Sequence, residues 1–371
     1  MKSIIYADNA ATTKLDKDAF NAMVPWLTEE YGNPSQPYSI ARKPKLAISQ
    51  ARADIAKCIN ADEDEIFFTS GGTEGDNFIL KGVGEKLGRI VTSEIEHHAV
   101  LNPCKTIEKT GVQINYLSPS TEGYIDAESL DQSLNSNAGL VSVMFANNEI
   151  GAIQPIKELC ARAHAKGWLF HTDAVQAVGH IEIDVKDLGV DFLTASAHKF
   201  NGPKGMGFVY IKKGTPIYPL LEGGNQEKGV RAGTENVASI VGMATALTNN
   251  CKNIHSSIKH LKYLETIFLD ELIEHGIDFI VNGGENKLPG LISISFKESD
   301  GEMLLHRLDL MGIMVSTGAA CDSKTTQISH VLRAIKLDSK YAKGTIRISL
   351  GKYNAVEDVQ KIALSIVKIL R

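Results

Sequence analysis

The 371-residue chain lacks the features that would direct it to a membrane or onto nucleic acid. It has no apolar run long enough to span a bilayer, and too few apolar residues precede Asp8 to form the core of a signal peptide. The formal net charge of −5 is too small to favour nucleic acid or an anionic membrane as a partner. We therefore expect a cytoplasmic protein that binds neither directly.

Cysteine is scarce, and its five copies show neither a CxxC motif nor zinc-ligand spacing. This pattern predicts a reducing compartment, no disulfide framework and no metal site of the protein's own. Four cysteines are interpreted as core or surface thiols, namely Cys58, Cys104, Cys160 and Cys251. Cys321 differs because it lies among small residues in STGAACDSK. From this stretch alone, a linker position, a metal ligand and a nucleophile all stay open.

The order of secondary-structure patterns predicts an α/β protein of two domains. The length exceeds what one hydrophobic core usually supports. Short β-rich runs alternate with helical segments through the middle of the chain, which indicates a mostly parallel sheet covered by helices. Beyond about residue 250, a long amphipathic helix and further strands indicate a smaller α+β domain. The predicted large domain is 15–250, and the small one is 1–14 with 251–371, which carries the Cys321 loop.

Ligands bind such sheets beyond the carboxyl ends of the strands, so the loops after the strands are the places to search. The loop 69–74, TSGGTE, follows EIFF and opens a helix. It suits an anion, and a plain glycine turn with a threonine cap explains it about as well. Asp173 follows the apolar run WLF and suits a cationic partner such as a protonated ring nitrogen. Taken alone, a helix N-cap is the favoured interpretation of Asp173.

Two further loops complete the set. Lys199 ends the run SAHK after DFLTA, where its amine suits Schiff-base chemistry, and Ser196 and His198 could bind an anion there. A solvated surface lysine is the alternative. The glycine-rich segment 223–236 could bind an anion or form a flexible surface loop. Together the four loops supply a phosphate cradle, a carboxylate and a lysine, which are what pyridoxal phosphate requires.

A series of motifs in one order then carries a resemblance over essentially the whole chain. The motifs are YADNAATT at 6–13, YGNPS at 31–35, TSGGTEGDN at 69–77, EHHAVL at 96–101, NNEIGAIQPI at 147–156, HTDAVQAVG at 171–179, SAHKFNGPKGMG at 196–207, GVRAGTEN at 229–236, STGAAC at 316–321 and IRISLG at 346–351. The sequence resembles the NifS/IscS-like cysteine desulfurases of the aminotransferase class V group. The resemblance implies pyridoxal-phosphate fold type I.

The resemblance also implies the residues that hold the cofactor. Lys199 would form the Schiff base and Asp173 would pair with the pyridine nitrogen, while His97 would stack on the ring. Gln176 and Asn148 would approach the ring hydroxyl.

The phosphate and the substrate have implied partners as well. The phosphate would be bound by four residues of this subunit, namely Gly72, Thr73, Ser196 and His198. Thr234 would reach the phosphate of a neighbouring subunit, which implies a homodimer. Arg347 would clamp the substrate carboxylate with its bidentate guanidinium, in a pocket lined by Asn148, Asn9 and Asn33.

By the same resemblance, Cys321 is the catalytic cysteine of a sulfurtransferase. The implied reaction converts L-cysteine into L-alanine and leaves the sulfur on Cys321 as a persulfide. The sulfur then passes to an acceptor protein, such as an iron–sulfur scaffold or a tRNA-thiolation enzyme. Cys321 could transiently share an iron–sulfur cluster with such a partner.

Asp322 departs from the usual loop of the family, and a carboxylate beside the nucleophile should raise the pKa of the Cys321 thiol. This departure keeps open a slow sulfur-transfer platform, and the lyases stay open because a lyase need not hold sulfur as a protein persulfide. Three alternatives to a cysteine desulfurase thus remain on this scaffold. They are a selenocysteine lyase, a cysteine or cystine C–S lyase, and a slow sulfur-transfer platform that mainly docks a carrier.

Overall fold

The computed structural model describes residues 4–134, 137–317 and 328–371, so Cys321 and Asp322 lie outside the described residues. The strands are β1 Ile5–Tyr6, β2 Ile66–Thr69, β3 Arg89–Ser93, β4 Gln113–Leu117, β5 Leu140–Ser142, β6 Leu169–Asp173, β7 Phe192–Ser196, β8 Gly207–Ile211, β9 Phe279–Asn282, β10 Leu291–Phe296, β11 Ile313–Met314 and β12 Thr345–Ser349. The helices are α1 Lys17–Thr28, α2 Arg42–Cys58, α3 Gly72–Ile79, α4 Glu85–Leu87, α5 His98–Glu108, α6 Ala127–Ser133, α7 Ile156–Ala165, α8 Val185–Leu188, α9 Val237–Lys252, α10 Ile254–Glu274, α11 Gly301–Leu310, α12 His330–Ala334, α13 Ser339–Ala342 and α14 Val356–Leu370.

Seven strands form the main sheet in the order β2-β8-β7-β6-β5-β3-β4. Strand β8 runs antiparallel to both of its neighbours, and the other adjacent pairs are parallel. The predicted mostly parallel sheet is therefore confirmed. Because β6 and β7 are parallel neighbours, their carboxyl ends, at Asp173 and Ser196, lie side by side at one edge.

Helices cover this sheet on both faces, and alternate strand residues enter two different cores. Ile90 and Phe192 pack in one core with residues of α3 and α5. Val91 and Leu193, the next residues along the same strands, pack in the other core with residues of α2, α7 and α9. This alternation follows from the two-residue period of a strand, and the strands are apolar on both faces because helices cover both.

A second sheet, β12-β10-β9, is antiparallel and packs with α10, α11 and α14 in a separate core. Ile5 and Ala7, from the start of the chain, belong to this core. Strand β1 pairs in parallel with β11, which holds the N-terminal residues there. The division into domains at 15 and 250 stays a prediction.

The cysteines other than Cys321 have two kinds of environment. Cys104 and Cys160 are buried, whereas Cys58 and Cys251 are partly exposed. The neighbouring Cys251 thiol lowers the pKa of Cys58, and the Cys58 thiol raises the pKa of Cys251. The sequence alone does not indicate that Cys251 has another thiol nearby. The two cysteines are neighbours because α2 and α9 pack side by side and each helix carries its cysteine near its C-terminal end.

Along the described part of the chain, no helix combines the length and the apolar content needed to cross a bilayer.

Candidate active site

A cavity of about 430 Å³ opens beyond the carboxyl ends of the main sheet. Its walls come from the segments after β1, β2, β3, β5, β6 and β7, from strand β12 and from the start of α12. Ten of the predicted site residues line it: Gly72, Thr73, His97, Asn148, Asp173, Gln176, Ser196, His198, Lys199 and Arg347. The fold therefore brings together residues that are up to 275 positions apart in the chain, from Gly72 to Arg347.

Lys199 reaches the cavity from a short 3-10 turn directly after β7. Its Nζ donates hydrogen bonds to the carbonyl oxygens of Ala10 at 2.6 Å and Ala11 at 2.8 Å. The Ala10 carbonyl also accepts a hydrogen bond from Gln176 Nε2 at 2.9 Å. The loop after β1 therefore positions two of the predicted cofactor residues.

Asp173 is the last residue of β6, and only 5% of its surface is exposed. One of its carboxylate oxygens accepts a hydrogen bond from Val175 N at 2.9 Å. Burial raises the pKa of Asp173 to about 6, and the positive charge of Lys199 acts in the opposite direction. Residues after Asp173 form a turn, so it does not cap a helix. Its carboxylate is placed to accept a cationic group from the cavity.

Beside Asp173 lie two buried ionisable residues that the sequence analysis did not single out. His171 shares one face of β6 with Asp173, and its ring bonds to Ser142 Oγ at 2.9 Å and Thr194 Oγ1 at 3.0 Å. Burial lowers the pKa of His171 to about 3, so the ring is neutral. Asp76 on α3 is 1% exposed, and its Oδ1 lies 3.7 Å from His171 Nε2. Sequence spacing could have indicated both residues. His171 lies two positions before Asp173 on a strand, and Asp76 lies four positions after Gly72 on a helix, so each shares a face with a predicted site residue.

Glu96 is a third buried acid near the cavity, directly before His97. Its Oε1 accepts hydrogen bonds from Ser93 Oγ at 2.6 Å and Met144 N at 2.9 Å. Burial raises the pKa of Glu96 to about 8, and the charge of Asp173 adds to the shift. At neutral pH the Glu96 side chain therefore carries a proton.

We predict that Glu96→Gln removes part of the pH dependence of stability. The folded state keeps the Glu96 proton until the pH approaches 8, whereas an unfolded glutamate loses it above about pH 4.5. Stability of the wild type should therefore fall as pH rises, by about 2 kcal/mol between pH 6 and 8 from this group. Urea denaturation at pH 6, 7 and 8 should show that fall reduced in Glu96→Gln. The exposed Glu94→Gln should behave as wild type, and equal slopes in all three proteins would contradict the prediction.

The first turn of α3 forms one end of the cavity. A Cβ on Gly72 would lie 2.7 Å from Val175 Cγ2, so a glycine is required for this close approach. Ser196 and His198 line the same cavity from the end of β7. His198 Nδ1 bonds to Thr12 Oγ1 at 3.1 Å, and burial, followed by the charges of Lys199 and Lys204, lowers its pKa to about 4. This end offers helix N–H groups and neutral side chains, which suit an anion.

His97 caps α5, because its Nδ1 accepts a hydrogen bond from Ala99 N at 3.0 Å. Burial lowers the pKa of His97 to about 4, assisted by the charges of Lys199 and His98. The ring is therefore neutral and held in one orientation, as a stacking surface requires. His98 and His330 also line the cavity, with ring centroids 5.0 Å apart, and the sequence analysis missed both as site residues.

Arg347 lies in the middle of β12 and is 4% exposed. Its Nη1 donates to the Asn148 carbonyl at 2.8 Å, and its Nη2 donates to Asp8 Oδ1 at 2.7 Å. Its Nε is buried and has no acceptor among the described residues. Arg347 lines the cavity although its guanidinium is already paired with Asp8, so a ligand carboxylate there would share this cation with Asp8.

Three predicted residues within the described part of the chain do not line the cavity, and a fourth, Cys321, lies outside that part. Asn9 Nδ2 bonds to the Ser349 carbonyl at 2.9 Å and lies at a separate cavity. Asn33 accepts a hydrogen bond from Ser35 N at 3.0 Å within a turn. Thr234 is exposed, and Cys321 lies outside the described residues. The roles of these four stay predictions.

The glycine-rich segment 223–236 lies against α3. Arg231 Nε donates to Glu74 Oε1 at 2.8 Å, and Arg231 Nη2 donates to Glu74 Oε2 at 3.1 Å. This bidentate pair already neutralises the cation that could have bound an anion. Across residues 4–134, 137–317 and 328–371, no group of three or more His, Cys, Asp or Glu side chains is arranged to hold a metal ion.

Comparison with known proteins agrees with this geometry. The cysteine desulfurase IscS of Dictyoglomus turgidum (strain DSM 6724 / Z-1310) is 48% identical over 364 residues, which are 97% of this chain and 92% of that protein. A solved NifS-like protein matches with a TM-score of 0.93 at 38% identity, over 99% of both chains. SspA, solved in complex with cysteine, matches with a TM-score of 0.83 at 33% identity, over 95% of this chain and all of its own. Residues 5–362 match the family described as aminotransferase class-V. The chain therefore belongs to the aminotransferase class-V family, and within it to the NifS/IscS-like cysteine desulfurases.

Proposed function

We propose that this chain is a pyridoxal-phosphate-dependent cysteine desulfurase. It would convert L-cysteine and the Cys321 thiol into L-alanine and a Cys321 persulfide. One observation carries the proposal: Lys199, Asp173 and Arg347 converge on a single cavity. An amine, a carboxylate and a guanidinium in one enclosed space are the groups needed to hold an amino acid on this cofactor.

The residues of the cavity fit pyridoxal phosphate. The buried Asp173 carboxylate accepts one backbone hydrogen bond and suits the ring nitrogen. Lys199 would hold the aldehyde, and His97 would cover the ring. The phosphate would lie at the start of α3, near Ser196 and His198. When bound, the cofactor supplies an electron sink that stabilises negative charge at the substrate Cα.

The chain's own residues would bind and deprotonate the substrate. Arg347 lines the cavity, where its guanidinium would bind the substrate carboxylate. Asn148, whose carbonyl already fixes the Arg347 guanidinium, lines the same wall. The Nζ of Lys199 would take the proton from Cα, since this amine lines the cavity beside the cofactor residues.

The proposed sulfur transfer conserves atoms and electrons, so it requires no external oxidant. The Cys321 thiolate attacks the substrate sulfur, forming an S–S bond as the substrate C–S bond breaks. The carbon that loses sulfur gains a proton, so L-cysteine and a thiol become L-alanine and a persulfide. An external thiol or an acceptor protein would then remove the outer sulfur from Cys321.

We further propose a homodimer, in which the exposed Thr234 serves the neighbouring subunit's phosphate. The acceptor would be an iron–sulfur scaffold or a tRNA-thiolation enzyme, and the setting the reducing cytoplasm. The name IscS carried by the similar proteins supports iron–sulfur assembly as the pathway.

The products of L-cysteine test the function and separate it from its alternatives. The purified protein, supplied with pyridoxal phosphate and a reductant, should form L-alanine and sulfide in equal amounts. A C–S lyase would form pyruvate and ammonia with the sulfide, which would overturn the proposal. A selenocysteine lyase would react with L-selenocysteine and leave L-cysteine unchanged. A docking platform would give alanine only up to one equivalent per Cys321, even with reductant present.

We predict that Arg347→Lys raises the KM for L-cysteine by about tenfold or more and changes kcat less. Lysine keeps the positive charge but cannot donate the paired, planar hydrogen bonds of a guanidinium. Steady-state alanine formation at varied cysteine concentration measures both constants. The exposed Arg307→Lys is the matched control. An unchanged KM with a stable fold would show that Arg347 does not bind the substrate.

A further inference from the structure

Glu74 and Arg231 form an ion pair next to the cavity that the proposed reaction does not use. Glu74 lies in the first turn of α3, two residues after Gly72, and its side chain is 12% exposed. Its carboxylate accepts hydrogen bonds from Arg231 Nε at 2.8 Å, from Arg231 Nη2 at 3.1 Å and from Ser70 N at 2.8 Å. Gly72 and Thr73 line the cavity directly, and the ion pair supports them from the next residue of the turn.

The turn that this carboxylate closes contains two consecutive glycines. Gly71 has a φ of +148°, in a region that favours glycine, and a Cβ on Gly72 would lie 2.7 Å from Val175 Cγ2. The turn therefore needs both glycines, and glycine leaves a backbone more conformations than any other residue. The hydrogen bond from Ser70 N to Glu74 joins the residues on either side of the glycines. Glu74 thereby limits the directions in which the N–H groups at the start of α3 can point.

The charge of Glu74 would disturb an anion site unless it were neutralised. Burial acts to raise the pKa of Glu74, but the hydrogen bonds from Arg231 and Ser70 outweigh it and hold this pKa below its usual range. Glu74 is therefore ionised, and on its own it would repel a phosphate group at the same turn. The guanidinium of Arg231 cancels this charge and leaves the hydrogen bond from Ser70 N in place. The N–H groups of α3 can then attract an anion.

Arg231 can serve this purpose because its segment is anchored at a second point. Four residues earlier, Glu227 has a side chain that is 4% exposed and pairs with Arg52 of α2 at 2.7 Å. The same carboxylate accepts a hydrogen bond from Phe68 N of β2 at 2.9 Å. Glu227 also has a φ of +46°, an unfavourable conformation for a residue with a side chain, which these contacts hold. The segment before Arg231 is thus fixed to β2 and α2, so little entropy is lost when Arg231 pairs with Glu74.

We propose that Glu74 and Arg231 are positioning residues that hold the turn Gly71–Gly72 in the form that binds a phosphate group at the start of α3. They act through the backbone and do not touch the ligand. The inference deepens the proposed function, on which it rests for the identity of pyridoxal phosphate. The support of an anion site by the ion pair does not depend on that identity. Loss of the pair should therefore weaken the binding of ligands that carry a phosphate group and spare those that do not.

Substitutions at the two positions separate the charge from the contacts. Arg231→Met removes the guanidinium and leaves the Glu74 charge uncompensated at the turn. Adding Glu74→Gln removes that charge and keeps an amide oxygen to accept the hydrogen bond from Ser70 N. Arg231→Lys keeps the positive charge. Arg162→Met is the matched control, because it breaks an ion pair of the same length, with Asp131, on α7.

The first measurement compares pyridoxal phosphate with pyridoxal, which has the same ring and aldehyde but no phosphate. The apoprotein is titrated with each, and the absorbance of the Schiff base gives a Kd. The ratio of the Kd for pyridoxal to that for pyridoxal phosphate should fall about tenfold in Arg231→Met. It should return to within about threefold of wild type in the double variant and in Arg231→Lys, and Arg162→Met should match wild type.

Two results would overturn the inference. A structural role alone would weaken both ligands equally and leave the ratio unchanged in folded Arg231→Met. A ratio that falls but is not restored in the double variant would show that the Glu74 charge is not the cause. Thermal unfolding reports the fold of each variant, and Arg231→Gln replaces Arg231→Met if the latter does not fold.

A second measurement separates this inference from the proposed function. If the wild type binds neither aldehyde, the proposed function fails, and inorganic phosphate then tests the pair alone. Isothermal titration of the apoprotein should give a Kd for phosphate that is about tenfold higher in Arg231→Met than in wild type. Equal values, or no binding by the wild type, would overturn the inference as well. If pyridoxal phosphate binds with the expected ratios but L-cysteine gives no alanine, the proposed function fails and the inference about the ion pair stands.

Discussion

Replacing Lys199 with alanine is expected to lower kcat/KM for L-cysteine by about 10⁴-fold or more. The substitution removes both the amine that would hold the cofactor aldehyde and the base that would take the Cα proton. Alanine formation measures the loss. The visible absorbance of the bound cofactor should disappear or shift, because no lysine amine remains in the cavity to bond to the aldehyde.

Lys204→Ala is the matched control for this experiment. Lys204 is exposed and lies five residues further along the same glycine-rich segment. Its charge is the smallest of the three influences that lower the pKa of His198, so activity should stay within about threefold of wild type. A Lys199→Ala variant that keeps normal turnover and the same absorbance would exclude Lys199 as the attachment site.

Cys321→Ser is expected to lower the rate of alanine and sulfide formation by about 10³-fold. A serine hydroxyl is a poor nucleophile toward sulfur at neutral pH, whereas a thiolate attacks it readily. The absorbance of the bound cofactor and its response to added L-cysteine should persist, since the cavity residues are unchanged. Mass spectrometry should find an added sulfur atom on Cys321 in the wild type and none on the variant.

Cys251→Ser, at a partly exposed thiol, is the matched control and should react like the wild type. Full sulfide production by Cys321→Ser would contradict the persulfide route and favour a lyase. If the wild type is itself slow, Asp322→Asn tests the cause. Removing the neighbouring carboxylate should lower the pKa of the Cys321 thiol and raise the rate near pH 7.

Much of the site was predictable because strand ends are visible in the sequence. Asp173 and Lys199 each follow an apolar β-rich run, and the rule that ligands bind beyond such strands places them at one edge of the sheet. The structure shows β6 and β7 as parallel neighbours, so the two residues do meet at the cavity. The role of Arg347 was predicted from the resemblance alone. The residue pattern of its strand, TIRIS, does not indicate that the arginine side chain lines a cavity at the edge of the main sheet.

The buried acids could not be predicted, because their properties depend on burial and on partners distant in the chain. Asp76 and Glu96 have raised pKa values owing to desolvation, which no local pattern shows. The pairing of Arg231 in the segment 223–236 could not be predicted for a related reason. Arg231 is paired with Glu74, some 157 residues earlier, and such pairing is decided by tertiary packing.

The loop of residues 8–11 also bears on which amino acids can react. Its Asp8 carboxylate holds the guanidinium of Arg347, and its Ala10 and Ala11 carbonyls hold the amine of Lys199. Four consecutive residues thereby fix the spacing between the cation for the carboxylate and the base for the Cα proton. We expect this spacing to select substrates in which the carboxylate is bonded directly to the carbon that carries the amine and loses the proton. α-Amino acids meet this condition, and β-amino acids should be rejected whatever their side chain.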